Sequence, residues 1–231
     1  FQNIQPVLSL PLGSNEVSPV ELAAGYSTFA NQGVYNEPLY LLKVVDNKGM
    51  VLEENHTQPR RIISAENAYL TTNMLTGVME PGGTGAALKA QAGRITAGKT
   101  GTTDQKNDAW FVGYTPQLCC AVWVGFDQGK SANLTGGSAA GPIWAAFIRK
   151  ASSLLPETDF AKPAGIDLMN ICLDTGLVAS ESCPRPQSMA FMNNNQPQDI
   201  CYLHSPIMNW ITEFLPDDED NKVREWWRLF R

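Results

Sequence analysis

The chain has 231 residues, 43% of them hydrophobic, enough for a substantial core in one domain with an appendage or in two small domains. A formal net charge of −6 and a pI near 4.9 exclude the basic face expected of a nucleic-acid binder. No run of about 18 apolar residues offers a membrane-spanning helix. Phe1-Gln2-Asn3 opens the chain without an initiator Met or signal-like segment, so a signal peptide or anchor, if there is one, is expected outside this stretch.

Residues 1–17 read as extended. Ser18-Pro19-Val20-Glu21 is a helix start: Ser18 can cap, Pro19 suits the first helical position, and Glu21 can close a capping box. Leu22, Tyr26 and Phe29 recur at helical spacing until Gly33. "YLLKVVD" and "MVLEE" flank Asn47-Lys48-Gly49 and predict a β-hairpin. A second helix is predicted from Ser64 to about Met79, with Tyr69, Leu70, Met74, Leu75 and Val78 on its apolar face. "GAALKAQ" predicts a short helix. Arg94–Thr102, Asp108–Tyr114 and Gln117–Phe126 predict three strands in an antiparallel meander. Ser138–Leu155 then predicts a helix with Ile143, Trp144, Phe147 and Ile148 on one side.

After Pro156 the composition turns to Asn, Gln, Pro and Ser, which predicts a small irregular module or linker over 157–205. The acidic run Asp217–Asp220 reads as solvated, and the closing "REWWRLFR" offers aromatics for an unspecified surface. The division expected is 1–156, 157–205 and a C-terminal extension, 206–231. Cys119 and Cys120, in an apolar run, read as core filler with one side chain on each face of a strand. Cys172, Cys183 and Cys201 favour one disulfide plus a leftover thiol in an oxidising compartment. Free thiols are one alternative. The other is a Cys₃His zinc site with His204, although the spacing lacks a Cys-x-x-Cys pair. His56 reads as exposed.

Gly93–Thr100, "GRITAGKT", fits the phosphate-loop pattern G-x-x-x-x-G-K-[ST]. Its surroundings do not. No buried strand precedes it, and Gly101-Thr102-Thr103 is a poor helix opening for a phosphate to face. The Lys99-Thr100-Gly101 triplet suits other chemistry if it lies on an edge strand beside which a ligand can lie. Lys99 then supplies positive charge near a reacting centre. Thr100 offers a hydroxyl to a carboxylate, and Gly101 leaves the backbone open. The Thr102 N–H can stabilise an oxyanion, while its hydroxyl helps hold the carboxylate. Alone, the triplet is better read as an ordinary surface strand with a snorkelling lysine.

The flanks add to it. "GKTGTT" followed by "DAWFVGYTP", with "LPLGSNEVSPVELAAGYSTFANQGVY" upstream and "GGTGAA" and "LTGGSAAGPIW" around it, resembles the transpeptidase domain of class A, bifunctional penicillin-binding proteins. "ICLDTGLVASESCP" and "CYLH" resemble the cysteine-bearing tail of some members. The resemblance covers about residues 6–205. It implies an α/β (α+β) fold, an antiparallel sheet flanked by helices like that of serine β-lactamases and DD-peptidases, incomplete here and followed by an irregular tail.

The resemblance also implies the reaction. A serine in Ser-x-x-Lys attacks a D-Ala-D-Ala stem peptide, and an amine of a neighbouring stem peptide takes the acyl group; β-lactams acylate the same serine. On this chain it assigns Lys99 and Thr102 as catalytic, and Thr100, Gly101 and Thr102 as substrate-binding. It implies no cofactor and no metal. The expected partners are peptidoglycan stem peptides, β-lactams and cell-wall assembly proteins, on the periplasmic side of the inner membrane. No serine of the chain begins Ser-x-x-Lys: Ser18 precedes Pro-Val-Glu, Ser64 Ala-Glu-Asn and Ser131 Ala-Asn-Leu. Ser131-Ala132-Asn133 matches the family's Ser-x-Asn motif formally but follows Lys-Thr-Gly, opposite to the family's order. The nucleophile, that second motif and a glycosyltransferase domain are expected upstream. A DD-carboxypeptidase or monofunctional transpeptidase on the same fold, or a non-catalytic relative, are the alternatives.

Overall fold

The computed structural model describes residues 4, 6–10, 13, 15–103, 107–126 and 133–205. The chain divides into two compact units, residues 1–166 and 167–231. The Asp217–Asp220 run, the closing aromatics and Ser131 lie outside the described residues.

In the first unit, α1 (Pro19–Ala30) begins as the sequence dictates: Ser18 Oγ accepts from the Glu21 N–H and the Glu21 carboxylate accepts from the Ser18 N–H. Gly33, at φ +84°, reverses the chain where a Cβ would lie 2.3 Å from the Ile63 carbonyl oxygen. That approach pairs β1 (Val34–Tyr35) with β4 (Arg60–Arg61), a contact the sequence did not predict. Between them, β2 (Lys43–Val45) and β3 (Val51–Glu54) form the predicted hairpin. Its turn is closed by Asp46 Oδ1, which accepts from the Lys48 and Met50 N–H groups. Ser64 caps α2 (Ala65–Gly77), and α3 (Ala86–Ala92) ends at Gly93 in the left-handed region.

The predicted meander forms β5 (Ala97–Thr102), β6 (Asp108–Tyr114) and β7 (Cys119–Gly125), antiparallel in that order. Alternation along β6 sends successive side chains to opposite faces. Tyr114 faces α1 and α2: its ring lies 6.4 Å from that of Tyr26 and its hydroxyl 2.9 Å from Thr72 Oγ1. Phe111 faces the other way, its ring 4.7 Å from that of Trp144 on α4 (Gly141–Ala151). The main core therefore lies between the sheet and the α3–α4 pair, with Met79, Leu88, Phe111, Trp144 and Ile148 buried. Cys119 and Cys120 split between the two faces as expected: Cys119 pairs with Tyr114, and Cys120 packs on the Phe111–Trp144 cluster.

The last helix departs from expectation. A π-helical turn, Gly136–Ala140, precedes α4, and a 3₁₀ turn, Ser152–Leu154, follows it. Its buried stripe is Gly141, Trp144, Ala145 and Ile148, while Ile143 and Phe147 are about half exposed, at 53% and 49%. Tryptophan sets the rotation, because only one orientation buries its ring against Phe111. Met74 of α2, likewise expected on the inner face, is exposed, and Ala68 and Thr72 are the buried positions.

In the second unit the predicted irregular tail contains a strand pair, β8 (Ile166–Cys172) with β9 (Pro186–Met192). Val178 bridges to both Ile171 and Ile200 and so ties the intervening loops together.

Candidate active-site edge and a cysteine–histidine cluster

β5 reads Ala-Gly-Lys-Thr-Gly-Thr, and two glycines in six residues give it little strand preference of its own. Close packing explains both. A Cβ on Gly98 would sit 3.0 Å from the Val112 oxygen, and one on Gly101 would sit 3.1 Å from Trp110 Cβ. β6 holds one side of β5, and among the described residues no strand holds the other. β5 is an edge.

The register decides which backbone groups that edge presents. Thr103 N–H donates to the Asp108 oxygen (3.2 Å), so residues 103, 101 and 99 turn their polar groups toward β6. Alternation then turns the N–H and C=O groups of Thr100 and Thr102 outward. Lys99 Nζ, reaching around the edge, donates to the Thr100 oxygen at 2.9 Å, which agrees with that assignment. The side chains alternate as well. Lys99 lies on the face that β6 shares with α1 and α2, whereas Thr100 and Thr102 lie on the Phe111 face. The open edge is therefore flanked by an ammonium on one face and two hydroxyls on the other.

Two further segments frame the hydroxyl face, and neither is assigned a site role from the sequence alone. Thr84 Oγ1 lies 3.0 Å from Thr100 Oγ1. Gly136 N–H donates to Thr102 Oγ1 at 3.2 Å. Gly136 fits only as glycine, since its Cβ would fall 2.1 Å from the Trp110 oxygen and 2.6 Å from that of Gly101. The signals were the glycine-rich stretches "GGTG" and "TGG", which mark backbone approach without saying to what. Asp108, below the edge, accepts from Trp123 Nε1 at 2.8 Å and from Thr103 Oγ1.

The phosphate-loop reading fails in three dimensions as in one: Lys99 and Thr100 sit mid-strand, with no helix starting at them. Ser138, the serine near the edge, is committed to capping the π-helical turn, its Oγ 2.9 Å from Thr135 Oγ1. Of the formal Ser-x-Asn match, Asn133 is described and adopts a left-handed backbone (φ 51°). His56 is exposed.

In the second unit, the expected disulfide is not formed. All five cysteines are free thiols, and Cys172, Cys183 and Cys201 converge with His204 so that their ligand atoms lie within 4.8 Å of one another. Spacing did not disclose this because the convergence is built by β8, a loop and a Cys-x-x-His turn rather than by a Cys-x-x-Cys knuckle.

An antiparallel sheet between helix pairs, with a Lys-Thr-Gly edge strand, is the arrangement of serine acyl-transfer enzymes of the penicillin-binding class. The chain is similar in structure to penicillin-binding protein 1A from Haemophilus influenzae, with a TM-score of 0.73 and 26% identity over 84% of this chain and 34% of that one. It is also similar to PonA1 from Mycobacterium tuberculosis (TM-score 0.60, 30% identity, 69% of this chain and 44% of that one), a protein also solved in complex with penicillin V. Residues 3–149 match the penicillin binding protein transpeptidase domain, and residues 162–206 match the C-terminal domain of penicillin-binding protein 1A. The chain belongs to the penicillin-binding protein transpeptidase family. Relatives include penicillin-binding protein 1A of Aquifex aeolicus, 36% identical over 87% of this chain and 28% of the relative. Penicillin-binding protein 2D of Bacillus subtilis is 31% identical over 97% of this chain and 33% of the relative. The chain thus spans about a third or less of these relatives' lengths.

Proposed function

We propose that this chain supplies the Lys-Thr-Gly wall of a peptidoglycan transpeptidase that cross-links D-Ala-D-Ala stem peptides through a serine acyl-enzyme. The register of β5 is the observation that carries the reading: it aims the Thr102 N–H outward between the Lys99 and threonine faces. A stem peptide or β-lactam lies along the open edge as an added strand. Its terminal carboxylate accepts from the Thr100 and Thr102 hydroxyls. The Thr102 N–H donates to the carbonyl oxygen as it becomes an oxyanion, and the Lys99 ammonium stabilises the same negative charge. The attacking serine adds its oxygen to that carbonyl carbon. Collapse of the tetrahedral species breaks the amide bond, and D-Ala leaves with the serine's proton on its nitrogen. An amine of a second stem peptide then displaces the serine, forming the cross-link.

The nucleophile is proposed to come from another segment of a longer, class A parent, which also carries a glycosyltransferase and a membrane anchor and works outside the cytoplasm. Among the described residues no helix is long and apolar enough to cross a membrane. Residues 1–156 are proposed to be the transpeptidase portion, and 157–205 the cysteine-containing module. The match of residues 162–206 favours this reading over a DD-carboxypeptidase.

Labelling with fluorescent penicillin tests the proposal. The longer parent labels covalently, and Lys99→Ala in it slows labelling by at least about 10²-fold, the scale of a lost charge-stabilising group. The 231-residue chain alone does not label. Stable labelling of that chain, or full-rate labelling of the Lys99→Ala parent, would overturn it.

A further inference from the structure

We propose that Cys172, Cys183, Cys201 and His204 form a structural zinc site that holds the second compact unit together. The four donor atoms lie within 4.8 Å of one another, and both Cys172 Sγ and Cys201 Sγ are 3.4 Å from His204 Nδ1. Bonds of about 2.3 Å to sulfur and 2.0 Å to nitrogen place the donors of a tetrahedral zinc ion roughly 3.5–3.8 Å apart. Only a small contraction separates the two arrangements. A disulfide would join two sulfurs at about 2.0 Å and leave a third buried thiol and an imidazole converging on nothing.

The surroundings are those of a ligand set. His204 turns Nε2 toward Asp174 Oδ2 at 3.4 Å, and Arg185 pairs with the other oxygen of that carboxylate. A carboxylate behind a histidine fixes the tautomer that leaves Nδ1 free to bind metal. Ser180 N–H donates to Cys183 Sγ at 3.3 Å. Cys172 is held by its own turn, its carbonyl accepting from Thr175 and Gly176, with Gly176 at φ +73°. Cys201 is fixed by its N–H on the Val178 oxygen (2.8 Å), and the Cys-x-x-His turn brings His204 back over it.

The unit also needs such a staple. Among its described residues, the three cysteines and Ile171 are the buried apolar side chains. With so few buried apolar side chains among the described residues, a unit this small gains most from cross-links or a metal. Binding converts three thiols to thiolates and releases three protons, leaving a site of net charge −1 with a neutral imidazole. Four protein donors leave no open position, so the ion is structural rather than catalytic.

Metal analysis of the full 231-residue chain, purified under reducing conditions and reconstituted with zinc, tests the site. One zinc per chain is expected. Cobalt substitution should give thiolate charge-transfer absorption with tetrahedral d–d bands. His204→Cys should retain the metal and shift the cobalt spectrum toward that of four thiolates. Asp174→Asn should weaken binding about 10–100-fold. Cys119→Ser and Cys120→Ser should change neither stoichiometry nor spectrum. Absence of stoichiometric metal after reconstitution would overturn the proposal, as would a disulfide among Cys172, Cys183 and Cys201 in the reduced-and-reconstituted chain. Full zinc retention by a Cys172→Ser/Cys201→Ser variant would do the same.

Discussion

Trp144 of α4 donates its indole N–H to the carbonyl of Gly113 at 3.0 Å, and its ring occupies the space that any side chain at Gly113 would need. A Cβ there would lie 2.7 Å from the indole. Gly113→Ala should therefore destabilise the first unit by about 1–3 kcal/mol, the cost of overpacking a filled core. Trp144→Phe removes the hydrogen bond and should cost about 1 kcal/mol more than its lost packing. Urea unfolding measures both. An unchanged midpoint for Gly113→Ala would mean that α4 does not lie on the sheet in this rotation.

The outward N–H of Thr102 can be removed without touching the ladder. Proline is tolerated where a strand's N–H faces away from its partner, so Thr102→Pro should preserve the β5–β6 pairing. In the longer parent it should slow acylation by about 10²–10³-fold, the loss expected for one oxyanion donor. Thr102→Val keeps the N–H and should mainly weaken carboxylate binding, raising the penicillin concentration needed for half-maximal labelling. Equal effects from the two variants would refute the outward register.

Arg94 ties the end of the last helix to the start of β5. Its guanidinium donates to the carbonyls of Ser152 (2.6 Å), Leu155 (2.7 Å) and Pro156 (3.2 Å) at the end of that helix, where the Ser152 oxygen also accepts the Leu155 N–H of the 3₁₀ turn. Arg94→Ala should lower stability by about 1–3 kcal/mol. Lysine, lacking the fork, should recover less than half of that. Chemical denaturation of the two variants checks the order.

Alkali should weaken the fold through the sheet face that α1 and α2 cover. Burial, with Cys120 alongside, pushes the Cys119 thiol from 9.0 up to about 12. Burial likewise raises the Tyr114 phenol, opposed in part by the Thr72 hydroxyl, and raises that of Tyr26. These groups stay neutral in the folded chain while the unfolded chain ionises. Their contribution is complete below about pH 9 and is lost as pH climbs toward about 12. The urea midpoint should fall across that window, and Cys119→Ala should flatten the fall. At pH 8, the half-buried, neutral Cys119 thiol should react with iodoacetamide more slowly than a free cysteine; alkylation at the free-thiol rate would contradict its raised pKa.

What local rules govern was legible in the sequence. The Ser18–Glu21 capping box, the hairpin turn at Asn47-Lys48-Gly49 and the three-strand meander each depend on residues close along the chain, and each formed as predicted. Partners distant in sequence were not legible. The β1–β4 pairing rests on Gly33 meeting Ile63, and the rotation of α4 rests on where Phe111 leaves room for Trp144. At the edge strand, the sequence supplied Lys99, Thr100, Gly101 and Thr102. It could not reveal that Thr84 and Gly136 close over the hydroxyls, because that depends on backbone segments meeting in space. The tail cysteines were misjudged because their separations in sequence carry no hint that two loops and a strand end bring them to one point.

The open edge of β5 also governs how the isolated chain behaves in solution. Its outward amides and carbonyls do not distinguish a substrate from the matching strand of a second copy. Residues 97–102 contain no proline and a single charge, that of Lys99. Repulsion between two such ammonium groups opposes edge-to-edge docking, and salt screens it beyond a Debye length of about 10 Å at 0.1 M. Neutralising Lys99, the lysine of the proposed chemistry, would remove the strand's one charge and favour such pairing.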